Sequence, residues 1–180
     1  MSATPIPKLL TVEEFEKLPD PLSGHYELHH GEVVLVTPPV HDHKRLQRRL
    51  RQLFEPMADA QGFVADTEYA FRPLPESEIW VADVVCISST RDDAIVKWLE
   101  GSPELTIEVK SPGNTKSELH DKAMTTLAGQ GSVEFWIVDP EARTVTVFTK
   151  TSGVYVYGIG LAVPVALLAN RIHVSDIFAV

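Results

Sequence analysis

Cysteine is almost absent from this chain, because Cys86 is the only one among 180 residues. An internal disulfide and a thiolate metal cluster are therefore excluded within one chain. Cys86 lies in an apolar run, residues 84–87, where a small buried side chain is the usual outcome. Long apolar runs are missing too, so we expect neither a transmembrane helix nor a signal peptide. We predict one domain over residues 1–180, in the cytoplasm and without a membrane partner.

Positive charge is also scarce, since 16 Lys and Arg residues face 25 Asp and Glu residues and the net charge is −9. This balance argues against a protein that coats nucleic acid by neutralising phosphates. It leaves open an enzyme that holds DNA with a local basic patch, because a site built from carboxylates is itself acidic. Glycine-rich phosphate loops, the Gly-x-Ser-x-Gly elbow and dinucleotide fingerprints are all absent.

The pattern of apolar residues predicts an α/β fold. A capping box at Thr11 predicts a first helix from Thr11 to Leu18. A second helix starts near Asp42, where apolar residues recur at steps of three and four. The other predicted elements are a hairpin of residues 26–28 and 33–36, strands at 63–71, 81–87, 105–109, 133–138 and 145–150, and a helix at 116–130. A strand–helix–strand passage implies a parallel pair, so we predict a central mixed sheet flanked by helices. The tail after Lys150 gives no clear order.

Two carboxylates stand in the middle of apolar strands, Asp83 and Glu108. Either one alone could simply point to solvent. Glu108 and Lys110 are two residues apart, so on a strand both project from the same face, and a neighbouring strand can bring Asp83 beside them. Buried charges need partners or a metal. Mg²⁺ is satisfied by one or two carboxylates, water and a substrate phosphate, and a lysine can stabilise charge on that phosphate.

Five segments together resemble a known family. They are Tyr26-Glu27-Leu28 with Gly31-Glu32, Pro39 with His43, Asp83-Val84-Val85, Glu108-Val109-Lys110-Ser111-Pro112, and Glu134-Phe135-Trp136-Ile137-Val138-Asp139-Pro140. In their order and spacing the chain resembles the Uma-type restriction endonucleases of the PD-(D/E)XK nuclease superfamily, from Thr11 to about Phe178. The resemblance implies a restriction-endonuclease-like sheet.

The resemblance also implies roles for particular residues. Asp83 and Glu108 would bind Mg²⁺ or Mn²⁺, and Lys110 would be the catalytic lysine. Glu32 first, and Glu27 second, would add a carboxylate, with His43 nearby. Two departures from the family pattern stand out: Ala82 replaces the usual proline, and many members carry their lysine on the next helix instead of in the triplet. Lys122 lies about one residue from that alternative position. We therefore predict Lys110 as the catalytic lysine and keep Lys122 as its substitute.

Histidines and cations complete the set of candidates. His41 and His43 could share a face, but no cysteine or third histidine stands at a customary zinc spacing. The helix after residue 42 carries five cations with no acid among them: Lys44, Arg45, Arg48, Arg49 and Arg51. This face could contact nucleic-acid backbone, or it could be a solvated helix face. No base-reading motif is present, so no sequence preference is implied.

We therefore expect a metal-dependent endonuclease that hydrolyses phosphodiester bonds, with DNA as the expected substrate. One alternative is a nuclease fold without activity that serves as a binding or regulatory module. Another is a hydrolase of a small phosphoester, which an acidic surface would suit better. We also expect a homodimer, because the segments 154–157 and 161–168 are apolar and charges are few after Lys150.

Overall fold

The computed structural model describes residues 9–179. The helices are α1 Val12–Phe15, α2 His41–Asp59, α3 Ser89–Asp93, α4 Lys116–Ala128 and α5 Val174–Ile177. The strands are β1 His25–His29, β2 Glu32–Val36, β3 Phe63–Arg72, β4 Trp80–Ser88, β5 Leu99–Glu100, β6 Leu105–Val109, β7 Glu134–Asp139, β8 Thr144–Thr149, β9 Gly153–Gly158, β10 Ala162–Val165 and β11 Asn170–His173.

A mixed seven-stranded sheet forms the centre, in the order β5-β3-β4-β6-β7-β8-β9. Strands β6 and β7 run parallel and are joined by α4, and β5 is parallel to β3. The other neighbouring strands are antiparallel. The predicted α/β class, with a central mixed sheet and flanking helices, is confirmed.

Helix α2 covers one face of this sheet. Its apolar stripe, Leu46, Leu50, Phe54 and Ala58, packs in one core cluster with residues of β4, β6 and β7. Phe54 meets the ring of Trp136 edge-on, with the centroids 5.4 Å apart. The stripe explains why the helix forms here, because burying it against the sheet stabilises a segment whose other face is charged.

One side of helix α4 packs in a separate hydrophobic cluster. Ala123 and Leu127 pack there against Phe135 of β7 and Phe148 of β8. Thr115 and Glu118 form a capping box that starts the helix. This packing fixes which residues of α4 face the sheet.

The first helix is shorter than predicted. Thr11 caps it as expected, with the reciprocal contact to Glu14, but the α-helix ends at Phe15. Its last turn tightens into bonds between residues three apart, including Leu18 N to Phe15 O. Pro19 follows, and a proline disfavours helical geometry in the residue before it.

The tail, which the sequence left unordered, forms an edge strand, a small hairpin and a short helix. β9 is the edge of the main sheet, and Val154, Tyr155 and Val156 on it are largely exposed. β10 and β11 pair with each other, and Ile177 of α5 joins the core beneath α2. In the part of the chain that the structure describes, no helix is long and apolar enough to cross a membrane.

Candidate active site

The candidate site lies where strands β4 and β6 part. Their ladder pairs Cys86 with Leu105 and ends at Val84 opposite Ile107. One further step would place Asp83 opposite Glu108, but pairing has stopped there. The freed N–H of Val109 instead donates to Asp83 Oδ2 over 2.6 Å. The two predicted acids therefore lie at the same level of adjacent strands, close enough for the Asp83 charge to raise the pKa of Glu108.

Strand β4 is also distorted on its other side. Its ladder with β3 pairs Thr67 with Val84 and Tyr69 with Ala82, but skips the step between Glu68 and Asp83. Glu68 has φ +53°, in the left-handed region that side chains other than glycine rarely adopt. Such interruptions redirect a side chain, and here they turn Asp83 toward helix α2.

Two residues of α2 bind the Asp83 carboxylate. His43 Nε2 lies 2.9 Å from Asp83 Oδ1, and Gln47 Nε2 donates to the same oxygen over 2.7 Å. The two donors are four residues apart, so they share one helix face. The other ring nitrogen of His43 lies 3.3 Å from Ser111 Oγ. Sequence reasoning included His43 but missed Gln47, whose one signal was its place beside Leu46 in the apolar stripe.

Glu108 is buried and forms an ion pair with α4, because Lys122 Nζ lies 2.9 Å from its Oε1. Burial raises the pKa of Glu108 to about 8, the Lys122 charge opposes the rise, and the charges of Asp83 and Glu27 add to it. Burial would lower the pKa of Lys122, but Glu108, Glu27 and Asp83 outweigh it and raise that pKa above its ordinary value. Lys122 also donates to Val81 O over 3.3 Å. Lys122 thus contacts one carboxylate, Glu108, and interacts through its charge with two more.

Glu27 is the third of these acids. It is 4% exposed and accepts a hydrogen bond from Val81 N over 3.0 Å. His29 Nε2 lies 2.5 Å and His25 Nε2 3.4 Å from its two oxygens. Burial opposes its ionisation, yet the charge of Lys122 and the contacts with the two histidines hold the pKa of Glu27 below its usual range.

Lys110 does not join this cluster. The strand ends at Val109, and the pairing of Val109 with Val138 places Lys110 beside Asp139 at the end of β7. Lys110 Nζ lies 2.6 Å from Asp139 Oδ2. The expectation that Lys110 would converge with Asp83 and Glu108 is wrong, and the substitute, Lys122, pairs with Glu108. The rule of alternating faces failed because Lys110 lies just beyond the strand.

Glu32 is a second departure from the expected set. It is exposed at the start of β2, opposite His29 in the hairpin. Within residues 9–179 its carboxylate makes no hydrogen bond or ion pair. The hairpin carboxylate whose charge interacts with Lys122 belongs to Glu27, so the structure brings Glu27 and not Glu32 to this cluster.

The basic face of α2 is largely compensated by nearby oxygens. Three cations have carboxylate partners: Lys44 with Glu68 at 3.8 Å, Arg45 with Asp42 at 3.9 Å, and Arg51 with Glu55 at 2.8 Å. Arg49 donates to the carbonyl of Asp176. Arg48 is exposed, and its side chain has no such partner among the described residues. The positive field of this face is therefore weaker than five cations suggest.

The residues fit a hard divalent cation. Asp83 and Glu108 offer oxygen donors, and the Asp83 charge raises the pKa of Glu108, so a cation between them would relieve their repulsion. Among residues 9–179, no three His, Cys, Asp or Glu side chains are grouped so that they could hold a metal ion. Two carboxylates completed by water and substrate suit Mg²⁺, which keeps several waters.

Comparisons with known proteins identify a family and a fold. Residues 12–159 match the Uma2 family, whose description is "Putative restriction endonuclease". A crystal structure from Anabaena variabilis, described as "a putative nuclease belonging to DUF820", superposes with a TM-score of 0.81. It is 22% identical, and the match covers 94% of this chain and 98% of that chain. Identity this low shows a shared fold, which confirms the predicted fold class. A comparison with curated proteins finds no match.

Proposed function

The chain belongs to the Uma2 family, and from this membership and the site we propose that it is a metal-dependent endonuclease that hydrolyses phosphodiester bonds in DNA. The observation that carries the proposal is the meeting of Asp83, Glu108 and Lys122 where β4 and β6 part. Asp83 and Glu108 would hold Mg²⁺ or Mn²⁺. A bound ion supplies a polarised phosphate and a bound water of lowered pKa.

Lys122 stabilises negative charge in this proposal. Nearby carboxylates raise the pKa of Lys122, which favours its protonated ammonium form. The ion pair with Glu108 and the hydrogen bond to Val81 O hold it in place. A fixed cation aimed at a phosphate stabilises the charge that develops in the transition state without reorganising at that moment.

Asp83 is held by its neighbours in one orientation. His43 and Gln47 act on one oxygen and Val109 N on the other, so rotation of the carboxylate would break at least one hydrogen bond. A preorganised carboxylate loses little freedom when it binds a cation. We assign His43 and Gln47 to positioning Asp83.

A small phosphoester is a second candidate substrate, favoured by the compensated cations of α2. Cleavage of labelled DNA and of a small phosphodiester should be measured in Mg²⁺, in Mn²⁺ and in chelator. We expect metal-dependent cleavage of DNA, reduced about 100-fold or more in Glu108→Gln and unchanged in Glu76→Gln, an exposed acid outside the site. Cleavage that persists in chelator, or that Glu108→Gln leaves intact, would refute the proposal. Turnover of the small phosphodiester without cleavage of DNA would identify the small ester as the substrate.

A further inference from the structure

A cavity of about 310 Å³ lies at the start of helix α2, the helix that carries His43 and Gln47. Its walls come from the start of α2, from the turn between β7 and β8, and from the segment after α5. The lining residues are Asp42, Arg45, Leu46, Pro140, Arg143 and Phe178. This volume is at the lower end of the roughly 300–1,000 Å³ range of small-ligand sites, so it has room for one compact group.

The charges of the two arginines in this cavity are weakly compensated by acidic side chains. Arg45 meets its one acid, Asp42, at 3.9 Å, and 45% of the Arg45 side chain is exposed. Arg143 makes no ion pair with any residue between 9 and 179, and its guanidinium lies 5.8 Å from the centre of the Phe178 ring. Two guanidinium groups and one aromatic ring thus line the same cavity in a protein of net charge −9.

These groups have the chemistry that a nucleotide requires. Guanidinium groups bind phosphate oxygens through paired N–H donors. An aromatic ring or a guanidinium plane stacks on a base, and this contact tolerates any base because every base has a π face. Leu46 and Pro140 add apolar wall, and no amide side chain is among the lining residues to read a base edge.

The chain links this cavity to the candidate site through α2 and to the Lys110 ion pair through the turn after β7. Asp42 directly precedes His43, which binds Asp83. Pro140 directly follows Asp139, whose Oδ2 binds Lys110 and whose Oδ1 accepts the N–H groups of residues 141 and 142. The same turn holds Arg143 at φ +52°, a costly conformation for a residue other than glycine. The Lys110 ion pair thus anchors the turn that presents Arg143.

We propose that this cavity binds one nucleotide next to the scissile phosphate, with Arg45 and Arg143 on its phosphate and Phe178 stacked on its base. The inference rests on the proposed function, since it names the part of the substrate that the site holds. The base is bound without regard to its identity, so the subsite positions the strand and adds no sequence preference.

Binding of fluorescent pentathymidylate to the full-length protein in chelator tests this subsite without any cleavage. We expect Arg143→Gln to weaken binding about tenfold and Phe178→Leu about fivefold, which are ordinary losses for a phosphate contact and a stacked base. Phe178→Trp keeps an aromatic ring and should bind as the parent does. Arg171→Gln removes an exposed arginine of β11 that does not line the cavity, and should have no effect.

Inorganic phosphate as a competitor separates a nucleotide from a bare anion. The nucleotide subsite requires that Phe178→Leu weaken the pentathymidylate complex while leaving the phosphate affinity unchanged. Equal binding by parent and Phe178→Leu, with a loss in Arg143→Gln alone, would overturn it in favour of an anion site. Equal losses in Arg143→Gln and Arg171→Gln would overturn it in favour of general charge. Thermal melts identify any variant that is not folded. Glu108→Gln separates failure of the subsite from failure of the nuclease proposal. For this purpose it must bind pentathymidylate like the parent and fail to cleave DNA.

Discussion

Lys122 Nζ lies 2.9 Å from Glu108 Oε1, and this ion pair joins helix α4 to the C-terminal end of strand β6. Both side chains are nearly inaccessible, with 16% and 10% of their surfaces exposed. Removing one partner of a buried pair leaves the other charge without compensation, which costs about 3–5 kcal/mol. The pair is therefore a structural link as well as the source of the positive charge in the candidate site.

The two lysines should differ in activity. Lys122→Met removes the cation on Glu108, so we expect DNA cleavage to fall about 100-fold or more, with a loss of stability. Lys110→Met breaks the pair with Asp139, which is partly exposed, and should cost about 1 kcal/mol or less and leave most cleavage. Cleavage rates and urea unfolding of both variants test this. Lys122→Arg keeps the charge and is the control for a loss of activity that comes from unfolding alone. An inactive Lys110→Met would contradict the assignment of Lys122 as the lysine that supports cleavage.

The elevated pKa of Glu108 makes a prediction about pH. Its ordinary value of 4.5 applies to the unfolded chain, and burial raises it to about 8 in the fold. Between these values the folded state binds more protons than the unfolded state, so stability falls as pH rises from about 4.5 to 8. Glu108→Gln lacks this group, so its stability relative to the parent should improve across the same window and then level off. Denaturant unfolding in chelator from pH 5 to 9 measures the difference, with Glu76→Gln as the control that should track the parent. A difference that is independent of pH would contradict a Glu108 carboxyl whose pKa is raised by burial.

Local patterns were sufficient to predict the elements that fix the sheet and the two acids. The apolar stripe of α2 and the isolated carboxylates at Asp83 and Glu108 are readable because helix and strand periods are short. Which of the two lysines pairs with Glu108 was not readable in this way. It depends on how α4 rotates as it packs on Phe135 and Phe148, and on Asp139, which lies 29 residues from Lys110 and binds it. Contacts of this range are set by tertiary packing.

The arginines of α2 should contribute unequally to DNA binding. Arg48 has no carboxylate partner among the described residues, whereas Arg51 is already paired with Glu55 at 2.8 Å. If this face contacts phosphates, Arg48→Gln should reduce the slope of log K against log salt by about one unit, and Arg51→Gln by less. Binding isotherms across a salt series in chelator give both slopes. Unchanged slopes in both variants would leave α2 with a solvated charged face.

The expected homodimer also stays a prediction, and β9 is the surface that we expect to form it. Val154, Tyr155 and Val156 are exposed on an edge strand, and edge strands with unpaired N–H and C=O groups pair readily with another strand. Light scattering should give a mass near twice the chain's 19.9 kDa. Val156→Lys should shift it toward the monomer, while Val96→Lys, at a fully exposed position away from that edge, should not. A monomer mass for the parent at micromolar concentrations rules the dimer out.

Asp83→Asn tests both the hydrogen bonds and the proposed metal ligand. Asp83 accepts from Gln47 and from Val109 N and also contacts His43, so an amide in its place would turn an N–H group toward at least one donor. We therefore expect the variant to be less stable than the parent in chelator, by about 1–3 kcal/mol. An ion that binds only the folded form adds about 2.7 kcal/mol at one hundred times its dissociation constant, and the variant should gain much less than this from Mg²⁺ or Mn²⁺. Gln47→Met is the matched control, because it removes a hydrogen bond to Asp83 but keeps the carboxylate, so it should be destabilised and still gain from metal. Melts of the three proteins in chelator and in a Mn²⁺ series separate the two effects. If Asp83→Asn and the parent gain equally from Mn²⁺, then Asp83 is held for structure alone and does not bind the ion.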